Sequence, residues 1–129
     1  MNAIATERPE LAAITSVEGA PASCMVSVSF ELGTETMSEA GTGETIFDAI
    51  SAVFAKIFGI TVEIRKVSGV SYCPWRIDTY RITVAFVCDG DAYERQGQRD
   101  SFAGAIVSTC WPIAMKKATQ VNGTTIRRK

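Results

Sequence analysis

The sequence predicts an α+β fold: two βββα repeats related by a pseudo-twofold axis, with the helices packed between antiparallel sheets. Three observations carry this. Val26–Ile57 lies without a gap on Ile82–Ile113, 56 residues further on, so that Val28 meets Val84, Phe30 meets Phe86, Gly41 meets Gly97, Ala49 meets Ala105 and Ile50 meets Ile106. Both copies read alike physically, as strand, turn, strand, glycine turn and helix. Both helices are also too apolar for a surface position, and a unit that cannot bury its own apolar face needs its duplicate to do so.

In chain order, Met1–Glu10 reads as a leader and Leu11–Val17 as a first strand, closed by the turn cluster Glu18-Gly19-Ala20-Pro21. Cys24–Leu32 alternates Val26, Val28, Phe30 and Leu32 with Ser27, Ser29 and Glu31, the pattern of a strand wet on one face. Gly33-Thr34 turns the chain into the more polar strand Glu35–Glu39. Gly41-Thr42-Gly43 then opens a helix over about Glu44–Phe58, ended by Gly59. Its apolar residues, Ile46, Phe47, Ala49, Ile50, Val53, Phe54, Ile57 and Phe58, cover more than a surface stripe and predict contact on more than one side.

The second repeat begins with Ile60–Val67. Matching Ile64 to Ile14 and Val67-Ser68-Gly69 to Val17-Glu18-Gly19 gives an offset of 50 here, which puts about six extra residues into a loop at Ser71–Tyr80 around Cys73-Pro74-Trp75. Arg81–Cys88 is apolar on both faces, so cover from both sides is expected, by the other half or another subunit. Asp89-Gly90 is a strong hairpin turn, and Gly97 breaks the return strand. Asp100 or Ser101 caps a helix that carries no charge from Ser101 to Met115 and ends near Lys116-Lys117. The expected organisation is a leader (1–10), one domain (repeats at about 11–59 and 60–119) and a polar tail (120–129).

Composition narrows the function. At 129 residues, 47% apolar and 21% charged, the chain is long enough for a real core. The net charge of −1 gives no general attraction to polyanions, so no nucleic-acid partner is expected. A leader with Glu7, Arg8 and Glu10 is not a signal peptide, and no stretch is long and apolar enough to span a bilayer. The cysteines (Cys24, Cys73, Cys88 and Cys110) lack CxxC spacing and sit in apolar segments, as reduced core residues of a cytoplasmic protein do. Histidine is absent, which removes the commonest general base and metal ligand. No cofactor or metal is expected, nor enzymatic activity from this chain by itself.

The best candidates for a site are the turns ahead of the helices. Gly41-Thr42-Gly43-Glu44-Thr45 and Gly97-Gln98-Arg99-Asp100-Ser101 each place unsatisfied backbone N–H groups where a carboxylate could bind, and glycine lets a ligand approach. Glu44 or Asp100 would take an ammonium group, and apolar walls such as Ile46 would suit a branched-chain amino acid. The same spacing also describes capped strand-to-helix turns and nothing more.

The order of these features resembles the C-terminal regulatory domain of alpha-isopropylmalate synthase and its relative citramalate synthase. The residues that carry the resemblance are Gly41-Thr42-Gly43 with Ala49-Ile50, Val67-Ser68-Gly69, Asp89-Gly90, Tyr93, Gly97 and Ala103–Ile106. It implies two βββα units in a homodimer that binds the end product of branched-chain amino acid biosynthesis, leucine or isoleucine, and relays it to a catalytic synthase domain. Carried over residue by residue, the implied effector site comprises Gly41, Thr42, Gly43 and Glu44, then Thr61, Val62 and Ile64, then Gly97, Arg99, Asp100 and Ser101. Two other classes stay open: a structural dimerisation domain without a ligand, and a double-stranded-RNA-binding-like module. The latter is disfavoured because Asp100 heads a helix with no basic N-terminal face.

Overall fold

Strand β2 (Ser23–Leu32) is the centre of a three-stranded antiparallel sheet, flanked by β1 (Glu10–Gly19) and β3 (Glu35–Gly43). Helix α1 (Ile46–Phe58) follows. A second sheet then has β5 (Thr79–Cys88) between β4 (Val62–Cys73) and β6 (Asp91–Arg99), and helix α2 (Phe102–Asn122) follows it. The structure, a computed structural model, describes residues 9–19, 23–73 and 79–122. Residues 1–8 of the expected leader, residues 20–22, the stretch Pro74–Asp78 with Trp75, and residues 123–129 lie outside them, while Glu10, expected in the leader, begins β1.

The expected βββα–βββα order is present, and it repeats in register. Along β2–β3 the pairs run from Leu32 with Glu35 to Cys24 with Gly43; along β5–β6 they run from Cys88 with Asp91 to Tyr80 with Arg99, 56 residues later at every step. The helix heads repeat as well. Thr45 accepts a hydrogen bond from the Asp48 N–H at 3.1 Å, and Ser101 accepts one from the Gly104 N–H at 3.0 Å, which are the same two positions of the repeat.

The first strands do not match as the sequence implied. Leu11 faces Phe30 and Ile64 faces Phe86, so β4 follows β1 by 53 residues rather than 50. Each has a bulge at the same place, at Ala12 opposite Phe30 and Ser29, and at Arg65 opposite Phe86 and Ala85. A second irregularity in β4, between Ser68 and Ser71 and including Gly69, adds one residue, and the rest of the insertion lies in the β4–β5 connection. Ser71–Cys73 therefore belong to the strand and not to a loop. Sequence matching missed this because Val67-Ser68-Gly69 imitates Val17-Glu18-Gly19 without sharing its register.

Helix α1 ends where Gly59, at φ 71°, donates its N–H to the Ala55 carbonyl at 2.9 Å. At the same position of the second repeat stands Met115, and α2 continues to Asn122, past the predicted end and into the expected tail. Pro112 is tolerated inside it on the exposed side. The extension is tied down by Lys117, which pairs with Asp91 at the β5–β6 hairpin. That hairpin turns through Asp89 (φ 50°) and Gly90 (φ 93°), the pair of positive φ angles a two-residue turn requires.

The core lies where the inner faces of the sheets meet the helices. Val26, Val28, Phe30 and Leu32 of β2 and Ile82, Val84, Phe86 and Cys88 of β5 are buried. On the other side of β5, Thr83, Ala85 and Val87 are only half-covered, so this chain alone does not supply the two-sided cover expected for that strand. Each helix packs on the last two strands of its own half and on the first strand of the other: α1 on β2, β3 and β4, α2 on β5, β6 and β1.

Trp111 of α2 joins the halves. Its ring meets Phe58 edge-on at 4.9 Å and lies 5.7 Å from Phe30 and 6.1 Å from Phe54. Its buried Nε1–H donates to the Pro9 carbonyl at 3.0 Å, just ahead of β1. A second constraint is that β3 and β6 run directly beneath the helices. A Cβ on Gly41 would lie 2.5 Å from the Ala49 carbonyl oxygen and the Val53 nitrogen, and one on Gly97 would collide with the Thr109 side chain, the residue equivalent to Val53.

Two stability predictions follow from these contacts. Trp111→Ala should cost about 3–5 kcal/mol in urea unfolding, and Trp111→Phe, which keeps most of the ring contact, about 1–2 kcal/mol for the lost buried hydrogen bond. Gly41→Ala and Gly97→Ala should each destabilise by about 1–3 kcal/mol. Adding Thr109→Ala should recover part of the Gly97→Ala loss, because the closest clash there is with a side-chain hydroxyl. Val53→Ala should not rescue Gly41→Ala, whose clash is with helix backbone.

Candidate effector site

The head of α1 is built from the end of β3. Thr45 caps the helix with its side chain, and its carbonyl receives the Ala49 N–H at 3.0 Å. The buried Cys24 thiol on β2 points its Sγ at the Glu44 carbonyl at 3.9 Å, which anchors the turn. This arrangement leaves the N–H groups of Ile46 and Phe47 ahead of the capped position, where a helix carries its partial positive charge. Thr42, Glu44 and Thr45 are exposed beside them.

The head of α2 has the same backbone plan with different side chains. Ser101 caps it, its carbonyl receives the Ala105 N–H at 2.8 Å, and Asp100 is exposed. Arg99 reaches across to the first half and donates from Nη2 to the Ala12 carbonyl at 3.1 Å, the bulge residue of β1. Beside Arg99 on the same row of the sheet lie Tyr80 and Tyr72, with their rings 4.8 Å apart. At the corresponding places of the first half are Cys24 and Gly43. This aromatic–basic row was invisible to the sequence analysis, which had β4 out of register and so did not pair Tyr72 with Tyr80.

Several residues expected to line a site have other roles. Gly41 is buried under α1, Gly43 lies against Asp48 and Ala49, and Gly97 lies under Thr109, so the room these glycines create is filled by the helices and not left for a ligand. Val62 and Ile64 are buried in the core and cannot wall a surface site in this chain. Thr61 is exposed and its carbonyl accepts the Asp89 N–H at 2.8 Å. It lies beyond the far end of α1, about 20 Å along the helix from its head. The two helix heads are held by separate sets of contacts. The surface groups that remain for a polar ligand are Thr42, Glu44 and the α1 head on one side, and Arg99, Asp100, Ser101 and the α2 head on the other.

Two buried cysteines of the second half are poor nucleophiles. Burial, with Asp89 adding to it, pushes the Cys88 thiol up to about 11, and burial raises Cys110 further. Neither is a thiolate near neutral pH. Among the described residues no group of three or more His, Cys, Asp or Glu is placed to hold a metal ion, and no helix is long and apolar enough to cross a membrane. Iodoacetamide at pH 8 should leave Cys88 and Cys110 unmodified in the folded protein and alkylate both in 6 M guanidinium, as read by peptide mass spectrometry; labelling of either in the folded state would contradict the enclosed core described above.

Compared with protein-family models, the chain matches none. Compared with curated proteins, it again matches none.

Proposed function

We propose that the chain is a non-catalytic regulatory domain of the kind that ends alpha-isopropylmalate synthase and citramalate synthase, a homodimer that binds a branched-chain amino acid, leucine or isoleucine. The observation that carries the reading is the duplication: two βββα units with the same register between second and third strands, a shared bulge in their first strands and equally capped helix heads. In this reading the halves are related by a pseudo-twofold axis, which the reciprocal packing of α1 on β4 and α2 on β1 supports.

The chemistry of an amino acid divides over such a head. Its carboxylate would accept hydrogen bonds from the leading N–H groups of α1 or α2, and its ammonium would pair with Glu44 or Asp100. A ligand bound between elements that belong to different halves or subunits favours one packing over another, and an attached synthase domain would feel that choice as a coupling free energy. A ligand-free structural dimerisation domain is the second reading. It is favoured by the glycines, whose presence helix packing already explains.

Calorimetric titration separates the two. Leucine or isoleucine should bind and raise the melting temperature, with valine weaker. Glu44→Gln or Asp100→Asn, whichever lies at the occupied head, should weaken binding about 10-fold or more. Heat and melting curves unmoved by all three amino acids, in a sample with intact circular dichroism, would leave the structural reading in place.

A further inference from the structure

β1 and β4 hold the same place in the two repeats but are secured by different means. β4 buries its own side chains: Val62 and Ile64 lie in the core, with Ile60 just ahead of them. Along Glu10–Ser16 no side chain is buried; Leu11 and Ile14 are half-covered and the others are exposed. β1 is also an edge strand, and a bulge at Ala12 interrupts its ladder with β2.

What grips β1 comes from the other repeat. The Trp111 Nε1–H donates to the carbonyl of the buried Pro9 at 3.0 Å, and Arg99 Nη2 donates to the Ala12 carbonyl at 3.1 Å. Both bonds lie at the N-terminal end of the strand. At the positions of Arg99 and Trp111 the first repeat has Gly43 and Ala55, whose side chains cannot donate, so β4 receives no such clamp from them. When both bonds break, Trp111 keeps its ring contacts with Phe30, Phe54 and Phe58, and the helices keep their packing on β2, β3, β5 and β6. Little apolar surface is uncovered, which is the condition for one segment to open without the rest. β2 then becomes an edge strand with unpaired N–H and C=O groups.

We infer that β1 is a strap that opens and closes over a folded remainder, with Arg99 and Trp111 as its latch and the edge of β2 as what it hides. This holds whether or not the chain binds an amino acid.

Amide exchange of the full chain, followed by NMR, tests it within one strand. Lys56 Nζ donates to the Ala40 carbonyl at 2.7 Å, so that carbonyl points away from β2. Its pair Ser27 therefore turns its own N–H to β1, opposite Thr15, as Met25 does opposite Val17, while Val26 and Val28 turn theirs to β3. The Met25 and Ser27 amides should be at least about 10-fold less protected than those of Val26 and Val28 and should respond less steeply to low urea. Arg99→Met removes a bond made only in the closed state and should lower all four protections by a common factor, roughly 5-fold. Ile50→Val weakens contacts that persist in the open state and should lower Val26 and Val28 alone, by roughly 5-fold. Equal protection and urea dependence of all four amides in the wild type, Met25 and Ser27 unmoved by Arg99→Met, or all four moved together by Ile50→Val would overturn the inference.

Discussion

The structure depends on the inability of either three-stranded sheet to cover its own helix. β2 and β3 take one side of α1, yet Ala49, Ile50, Val53, Phe54, Ile57 and Phe58 are all buried, a face wider than one sheet can enclose. The remainder is closed by β4 and by α2, chiefly through Trp111. The same need explains why β1 sits against α2 and why Arg99 and Trp111 hold the Pro9–Ala12 segment by its carbonyls. Cut apart at Gly59, each half would expose a helix face of aromatic and aliphatic side chains. Duplication is thus a requirement of burial here, and the two repeats form one cooperative core.

Close approach follows from the same constraint. A helix shared between two sheets must sit low on its own, and where β3 and β6 pass beneath it a Cβ would meet the helix backbone at Gly41 and the Thr109 side chain at Gly97. Gly41 and Gly97 were legible in the sequence as an aligned pair, but their meaning was not. A glycine ahead of a helix reads equally as room for a ligand or as room for the helix itself, and only the packing distance divides the two. Val62 and Ile64 illustrate the same ambiguity, since an apolar strand beside a candidate site is wall or core according to which way its pleat faces.

Most of the architecture was readable because it rests on short-range rules. The period-two pattern of Cys24–Leu32, the Asp89-Gly90 turn, the cap at Ser101 and the Gly59 stop each act over a few residues, and each appears where the pattern put it. The failures come from features with no local signature. The bulges at Ala12 and Arg65 arise from pairing with a partner strand, and no composition marks them. The end of α2 was placed too early because Lys116-Lys117 have the charge of a last helical turn. Met115, standing where the first repeat has its terminal glycine, lets the helix continue, and Lys117 finds Asp91. That lysine's pKa is raised chiefly by its hydrogen bond to Asp91, a partner 26 residues away.

What differs between the repeats is as informative as what they share. Backbone pairing, capping and helix–strand contact are common to both, because the core constrains them jointly. Side chains outside the core are free to diverge, and they have done so at places that meet solvent. The α1 head has Gly43 and Cys24 where the α2 head has Arg99 and Tyr80, and the edge residue Glu39 of β3 stands where β6 has Arg95. A pair of equivalent heads with unlike chemistry cannot bind one small molecule equally. The likeness of the two repeats in backbone therefore stops short of the side chains at their helix heads.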